Sequence, residues 1–486
     1  MATFQKKWRW QLKKLFEDFQ SAIRETVNID EALELAQAYG NLLWFADVGI
    51  HDAPEVEVDL IERCARSLDV DAQQCATGGT SVLHVITEPL LTGGHTRLME
   101  RLAEMQGSPT DVLITRRISP EALDHVSSFF QNTLILVSSR LDEALMEMVA
   151  LLCRYQKIVL HINPDDIMAV VACGIAKRRC SLEVFFVNHA DHVFSYGTSV
   201  ADYYFELSGH GRRFDQTKTI AGRKSFLGIP VNTREAKKAS DFCPSPSAPL
   251  LFVSAGSDIK FKPRKGASIF DLVARILKDY PKSVFLIIGT DIKTSFWWWP
   301  MKLKYPSRLH IKSHLNFKAY GELVRNADYY VDSHPVPGAT AFAEQFIKGL
   351  RCVGLLAPLQ GYSQADRLKR PDVEGVMETI ANYRYAQEVF FAIERDNSFE
   401  SVKHRYLKCL YEGEVADNPF DESSGWPEST RFFENIGRSL KVDVSLDAFR
   451  VFVKQQRGLS IRLFKALSFS KKLKLLVKAL LARGRQ

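Results

Sequence analysis

The feature that most constrains this chain is a repeated texture of short apolar, β-branched runs separated by helix-length stretches, interrupted once by a Pro/Ser-rich break at Cys243–Pro249. Before the break the runs are Ser81–Ile86, Asp111–Thr115, Thr133–Ser138, Lys157–Ile162 and Glu183–Asn188. After it they are Leu250–Ser254, Ser283–Gly289, Arg308–Lys312, Asp328–Asp332 and Cys352–Leu356. Continuous rather than alternating apolarity marks strands covered on both faces, the environment of a parallel sheet built from βα units. The chain is therefore expected to form two α/β domains, and two such domains joined by a linker enclose a cleft. Open parallel sheets bind ligands beyond the carboxyl ends of their strands. The loops after Ile86, Asn188, Ser254, Gly289 and Asp332 are thus expected to border that cleft.

Helical segments flank this α/β body. Phe4, Trp8, Leu12, Leu15, Phe16, Phe19 and Ile23 recur at the spacing of one helix face, and a second helical pattern covers Asp30–Phe45. The expected division is an N-terminal helical region over 1–78, α/β domains over 79–240 and 250–405, and a helical region over 406–486. The formal net charge of +7 is not spread evenly: residues 451–486 hold ten Lys and Arg and no acid, which leaves the rest of the chain close to neutral. That distribution argues against a nucleic-acid-binding body and for one basic amphipathic tail, in which Leu473, Leu476, Val477, Leu480 and Leu481 alternate with Lys471, Lys472, Lys474, Lys478 and Arg483. Such a tail either packs back across the first domain or meets an anionic membrane surface. The eight cysteines show no Cys-x-x-Cys pair and no zinc spacing, as buried thiols in a reducing compartment would. No run reaches the roughly 20 uncharged residues of a membrane span. A cytoplasmic protein, peripheral at the inner face of the membrane, is the expectation.

Four loops carry polar groups suited to chemistry. Thr87–Arg97 holds Gly93 and Gly94, which let a ligand approach the backbone, followed by His95 at the mouth of a helix. Asn188-His-Ala-Asp-His192 follows an apolar strand, so His189, Asp191 and His192 are expected to project toward the cleft as an acid–base cluster; the competing reading has Asp191 capping the next helix. Nothing else in that motif fixes metal chemistry, and no metal is assigned to it. Ser254-Ala-Gly-Ser-Asp-Ile-Lys-Phe-Lys262 offers small residues at Ser254 and Gly256, with Lys260 and Lys262 to neutralise a departing diphosphate. Gly289 closes the next strand of that domain. Asp332-Ser-His-Pro-Val-Pro-Gly-Ala-Thr340 is the most specific signal, because two prolines impose a fixed turn that leaves Gly338, Ala339 and Thr340 at a helix start, a seat for phosphate oxygens, with His334 beside it.

Together these loops resemble bacterial GT-B glycosyltransferases. With Gly361-Tyr-Ser-Gln-Ala-Asp-Arg367, the last loop is similar in layout to the donor site of the O-linked N-acetylglucosamine transferase and adhesin-glucosyltransferase group, over about 80–405. The resemblance implies two Rossmann-like domains facing a cleft. It implies that the second domain holds a nucleotide sugar, with Lys260, His334, Gly338, Ala339 and Thr340 beside the diphosphate. It places the acceptor and any general base on the first. The chain departs from the retaining members of the fold in lacking their Glu-x7-Glu pattern, since Glu344 is the only acid in the helix after His334, and this leans the reading to inversion. It also lacks tetratricopeptide periodicity.

The expected function is metal-independent hexosyl transfer from a nucleotide sugar, used as substrate with no cofactor, to a glycan, lipid-linked or protein acceptor. The expected base is His95 or the His189, Asp191 and His192 cluster. A nucleotide-sugar epimerase of the same fold and a catalytically silent nucleotide-binding scaffold use the same residues. Phe296-Trp-Trp-Trp-Pro300 stands apart, and three adjacent tryptophans cannot all face one core, so at least one is expected at the surface.

Overall fold

The computed structural model describes residues 2–46, 48–67, 82–91, 94–116, 118–138, 140–233, 236–313, 315, 317–420, 439–440, 442 and 444–483. Three helices come first: α1 (Ala2–Glu25), α2 (Ile29–Phe45) and α3 (Pro54–Ser67). The apolar stripe of α1 buries Leu12, Leu15, Phe16, Phe19 and Ile23, and α2 starts where the Asn28 side chain accepts from the Glu31 amide at 3.0 Å. Helix α3, not anticipated, is fastened by Glu57, whose buried carboxylate accepts from the amides of Gly197 and Ser199, both at 3.0 Å.

The first α/β unit contains β1 (Val82–Ile86), α4 (Gly94–Gln106), β2 (Asp111–Ile114), α5 (Pro120–Ser127), β3 (Asn132–Ile135) and α6 (Leu141–Leu152). It continues through β4 (Lys157–His161), α7 (Ile167–Arg179), β5 (Glu183–Val187), β6 (Tyr203–Glu206), α8 (Gly209–Asp215) and β7 (Arg223–Phe226). Every pairing is parallel, and the strand order is β3-β2-β1-β4-β5-β6-β7. Strands β6 and β7 were not anticipated: Arg223-Lys-Ser-Phe226 is half charged because its first two residues are exposed at the sheet edge. Helix α7 is apolar and buried from Ala169 to Ala176, between α3 and α6, which both pack on it. Helices α3 and α7 approach so closely that a Cβ at Gly174 would stand 2.4 Å from Ile61 Cδ1.

The second unit contains β8 (Leu251–Ala255), α9 (Asp258–Phe261), α10 (Phe270–Asp279), β9 (Val284–Ile288), α11 (Trp299–Lys304), β10 (Leu309–Lys312) and α12 (Phe317–Arg325). Then come β11 (Tyr329–Val331), α13 (Thr340–Ile347), β12 (Arg351–Val353), α14 (Val373–Ala381), α15 (Gln387–Asn397) and α16 (Phe399–Leu407). Its sheet is parallel, in order β10-β9-β8-β11-β12. All five strands expected here are present, each within a few residues of its expected position. Helix α16 packs on α4 of the first unit, where Tyr406 is fully buried. The chain is thus α/β with two doubly wound Rossmann-like sheets and helical attachments, as expected.

After residue 444 come α17 (Leu446–Gln455), α18 (Arg457–Ala466) and α19 (Phe469–Arg483). The first two return to the N-terminal helices: Phe452 packs on Phe19 with ring centroids 4.5 Å apart, and Arg462 pairs with Asp18 at 2.5 Å. Of the three tryptophans, Trp298 is fully buried, Trp297 is half-buried, and Trp299 is 54% exposed. No helix among the described residues is long and apolar enough to cross a membrane.

Candidate functional site

In each sheet the strand order reverses once, between β1 and β4 in the first and between β8 and β11 in the second. Loops leaving neighbouring strands on opposite faces part there and open a crevice. Three of the four loops read from the sequence leave strands at these two points, and the fourth leaves β5, the strand beside β4.

At the first reversal four histidines gather. His84 lies within β1 and His161 ends β4, while His189 follows β5 and His95 sits in the first turn of α4. His84 Nδ1 is 3.0 Å from His161 Nε2, and His161 Nδ1 is 2.9 Å from His189 Nε2. Gln106 Nε2 reaches His84 Nε2 at 2.8 Å and Tyr406 Oη at 2.7 Å, which continues the row to α16. His95 donates from Nε2 to the His161 carbonyl at 2.7 Å, and its ring lies 4.2 Å from that of His189. Burial holds all four neutral. It pushes His84 down to about 3 and His161 and His189 well below the ordinary value; it also lowers His95, against the opposing pull of the carbonyl bond. The rings bond in succession along a line. Among the described residues no three His, Cys, Asp or Glu side chains converge as metal ligands would.

Asp191 and His192 form a different pair. His192 Nδ1 lies 3.3 Å from Asp191 Oδ1, and Ser208 donates to Asp191 Oδ2 at 2.5 Å. The helix-capping reading of Asp191 does not hold, since Ser208 caps α8 by accepting from the Gly211 amide at 2.8 Å. Asp191 instead stands behind that cap, so close that a Cβ on Gly211 would meet its Oδ2 at 2.5 Å. Burial raises the Asp191 carboxyl, but His192, His210 and Ser208 together outweigh it and keep the group ionised below the usual range. A carboxylate fixed behind an imidazole Nδ1 both orients the ring and stabilises its protonated form.

Beside these groups Asp166 accepts from Thr87 Oγ1 and Thr115 Oγ1, both at 2.6 Å, and Asp165 pairs with Arg116 at 3.1 Å. These bonds lock the loops after β1, β2 and β4 together. Of the two glycines expected in the first loop, Gly94 begins α4 with open space at its Cβ position, and Gly93 lies outside the described residues.

At the second reversal Asp332 organises the loop after β11. Its Oδ1 accepts from the amides of Ser333 at 2.9 Å and Gly338 at 2.8 Å, and a Cβ at Gly338 would strike that oxygen at 2.5 Å. Its Oδ2 pairs with Lys369 at 2.7 Å, and Lys369 reaches Asp366 at 2.5 Å. Burial works against this ammonium, but the two carboxylates outweigh it and hold its pKa above the ordinary lysine value. Lys369 is the partner of this loop that the sequence reading missed; a lysine 37 positions downstream carries no local signature. The loop turns through a cis His334–Pro335 bond and reaches Ala339 at φ 49, a backbone state costly for a residue with a side chain, immediately before Thr340 begins α13.

Around this loop stand groups with little to bind. Lys260, on α9, donates to the Pro337 carbonyl at 3.1 Å, and burial lowers its pKa despite the attraction of Asp332. His334 is buried with Nδ1 unpartnered, pushed down to about 4 by burial and by Lys369. Ser254 Oγ, on β8 next to β11, is also buried and unpartnered. Two other expected contacts are placed differently. Lys262 lies over the Trp297 ring at 5.7 Å, separate from Lys260. Gly289, at φ 91, is where the chain presses on the β8 loop, since a Cβ there would sit 2.7 Å from the Gly256 carbonyl oxygen.

The two reversals are linked. Asp366 Oδ2 accepts from the Gly361 amide at 2.7 Å, and the Gly361 carbonyl accepts from the Gly209 amide at 2.7 Å at the start of α8. Arg213 of α8 also donates to the Gln360 carbonyl at 3.1 Å. Glu344, the only acid of α13, pairs across the units with Arg101 of α4 at 3.6 Å.

No family model and no curated protein sequence matches the chain. Among solved structures it is similar to a Thermobaculum terrenum O-GlcNAc transferase mutant, at 11% identity over 88% of this chain and 78% of that one, with a TM-score of 0.46. It is similar to Anabaena HepE in complex with UDP and glucose, at 12% identity over 68% and 99% of the two chains, TM-score 0.47. It is also similar to a UDP-N-acetylglucosamine 2-epimerase, at 11% identity over 70% and 99%, TM-score 0.39.

Proposed function

We propose that this chain is a glycosyltransferase that moves a hexosyl group from a nucleotide sugar, seated at the second reversal, to an acceptor hydroxyl seated at the first. The observation that carries this reading is a pair of buried polar groups without internal partners, Ser254 Oγ near the end of β8 and His334 Nδ1 in the loop after the neighbouring β11, with Lys260 bonded to the same loop. Buried polar groups left unpaired by the fold are expected to bond a ligand, and a cation beside a helix N-terminus suits a diphosphate. Lys262 and the glycines at 93 and 94 have a weaker claim to this donor.

In the proposed reaction the acceptor hydroxyl gives its proton to His192 as its oxygen attacks the anomeric carbon. The bond from that carbon to the diphosphate oxygen breaks, and the diphosphate keeps the electron pair. Asp191 steadies the imidazolium, while Lys260 and the amides of Ala339 and Thr340 take up the charge of the leaving group. His192 is preferred to His95 and His189 because the latter two lie among neutral imidazoles with no carboxylate behind them. One displacement on one face inverts the anomeric centre. The acceptor class is a glycan, free, lipid-linked or on protein.

Thermal shift with uridine, guanosine and thymidine diphosphates should show one of them stabilising the protein by mass action. Transfer with the matching sugar donor should fall about a hundredfold or more in Lys260→Ala. Unchanged turnover in that variant removes the assigned role, and conversion of donor without acceptor would make the chain an epimerase.

A further inference from the structure

The tail read from the sequence does two separate things in the structure. Helices α17 and α18 pack on the N-terminal helices, with Phe452, Leu459 and Leu463 buried, Lys454 paired with Glu31 and Arg462 with Asp18. That half of the tail is a packing element. Helix α19 is laid down the other way. Its Leu475 is buried, whereas Phe469, Leu473, Leu476 and Leu480 are each at least half exposed, Phe469 at 81% and Leu480 at 66%. At 100° per residue those four fall within about 60° of arc, and Leu475 lies roughly 130° from their centre. The helix therefore turns its minor apolar face to the protein and its major one to solvent. Val477, 44% exposed, and Leu481, 65% exposed, widen that face to about 140° of arc; Lys474 lies about 20° beyond its edge and Lys478 about 40° further on, and both are exposed.

We infer that α19 is an interfacial anchor, lying in the plane of a bilayer rich in anionic lipid with Leu473, Leu476 and Leu480 among the acyl chains. Charge complementarity selects this occupant. A second copy of α19 would bring lysine against lysine, since residues 451–486 contain no acid to neutralise them. An anionic headgroup layer supplies the opposite charge along the Lys474 edge of the stripe, and an apolar face bordered by lysines matches the depth profile of the interface. The inference goes beyond the transferase reading and does not depend on it. If both hold, the cleft works on acceptors presented at a membrane surface.

The test is flotation of the full chain with vesicles of phosphatidylcholine alone and of phosphatidylcholine mixed with phosphatidylglycerol. The protein should float with the mixed vesicles at low salt and be released at high salt. Lys474→Gln/Lys478→Gln should weaken partitioning by more than tenfold, at about fivefold for each lysine. Leu476→Ser/Leu480→Ser should abolish flotation. Leu476 and Leu480 are exposed, so thermal melting and nucleoside diphosphate binding in solution should be unchanged in the leucine variant, which separates this result from any failure of the transferase reading. Failure of the full chain to float with anionic vesicles overturns the inference. So does equal flotation of the leucine variant, or conversion by that variant of a soluble dimer to a monomer with no vesicle binding in either form.

Discussion

His161 Nδ1 lies 2.9 Å from His189 Nε2, which makes the histidine at the end of β4 the middle of a hydrogen-bonded row and not a lone core residue. A row of neutral imidazoles has a direction, because each ring can donate from only one nitrogen. The Gln106 amide nitrogen, bonded to His84 Nε2, makes that nitrogen an acceptor. His84 must then donate from Nδ1 to His161, His161 from Nδ1 to His189, and the proton of His189 is left on Nδ1. His95 is the reverse, since it donates from Nε2 to a carbonyl. Nitrogen-15 spectra of histidine-labelled protein near neutral pH should show Nδ1–H tautomers for His84, His161 and His189 and an Nε2–H tautomer for His95. Finding His189 protonated on Nε2 would reverse the polarity assigned to the row.

The same burial makes stability depend on acidity. His84 and His210 titrate near 3 in the folded chain, and His161 and His189 are also well below the ordinary 6.5. Unfolded, all four take up protons as pH falls below about 6.5. Between these limits the unfolded state binds more protons, so the stabilising contribution is full above pH 6.5 and declines as pH drops. Melting temperature should fall steadily from pH 6.5 toward pH 4, and His161→Gln should flatten the slope by about one proton. A melting temperature constant over that range contradicts the neutral buried row.

Lys369 should prove more costly to remove than any single residue around it. Lys369→Met leaves the buried Asp332 and the half-buried Asp366 without their shared cation, a change expected to cost about 3 kcal/mol in a denaturant melt. Because Asp332 also holds the Ser333 and Gly338 amides, nucleoside diphosphate stabilisation should be lost in the same variant. A loss below about 1 kcal/mol with normal nucleotide binding would mean that the loop is held by its backbone alone.

The sequence by itself determined the strands of both sheets up to β5 and from β8 onward, most clearly the central ones, because a strand buried on both faces is apolar throughout, as Val184-Phe-Phe-Val187 is. It determined which loops carry the polar residues, since a parallel sheet opens only at its carboxyl edge. It did not reveal β7, whose exposed Arg223 and Lys224 erase the pattern, or the partners that give the site its character. His84 lies 77 positions from His161, His161 lies 28 from His189, and Lys369 lies 37 from Asp332. Their contacts exist only because strand order sets β1 beside β4 and β11 beside β12. The same holds for α19: its composition gave an amphipathic basic helix, but which face it turns inward depends on the surface that α17 and α18 leave for it. Periodicity is a local property that a sequence carries along its length, whereas hydrogen-bond partners and exposed faces are decided by segments that meet only after the chain has folded.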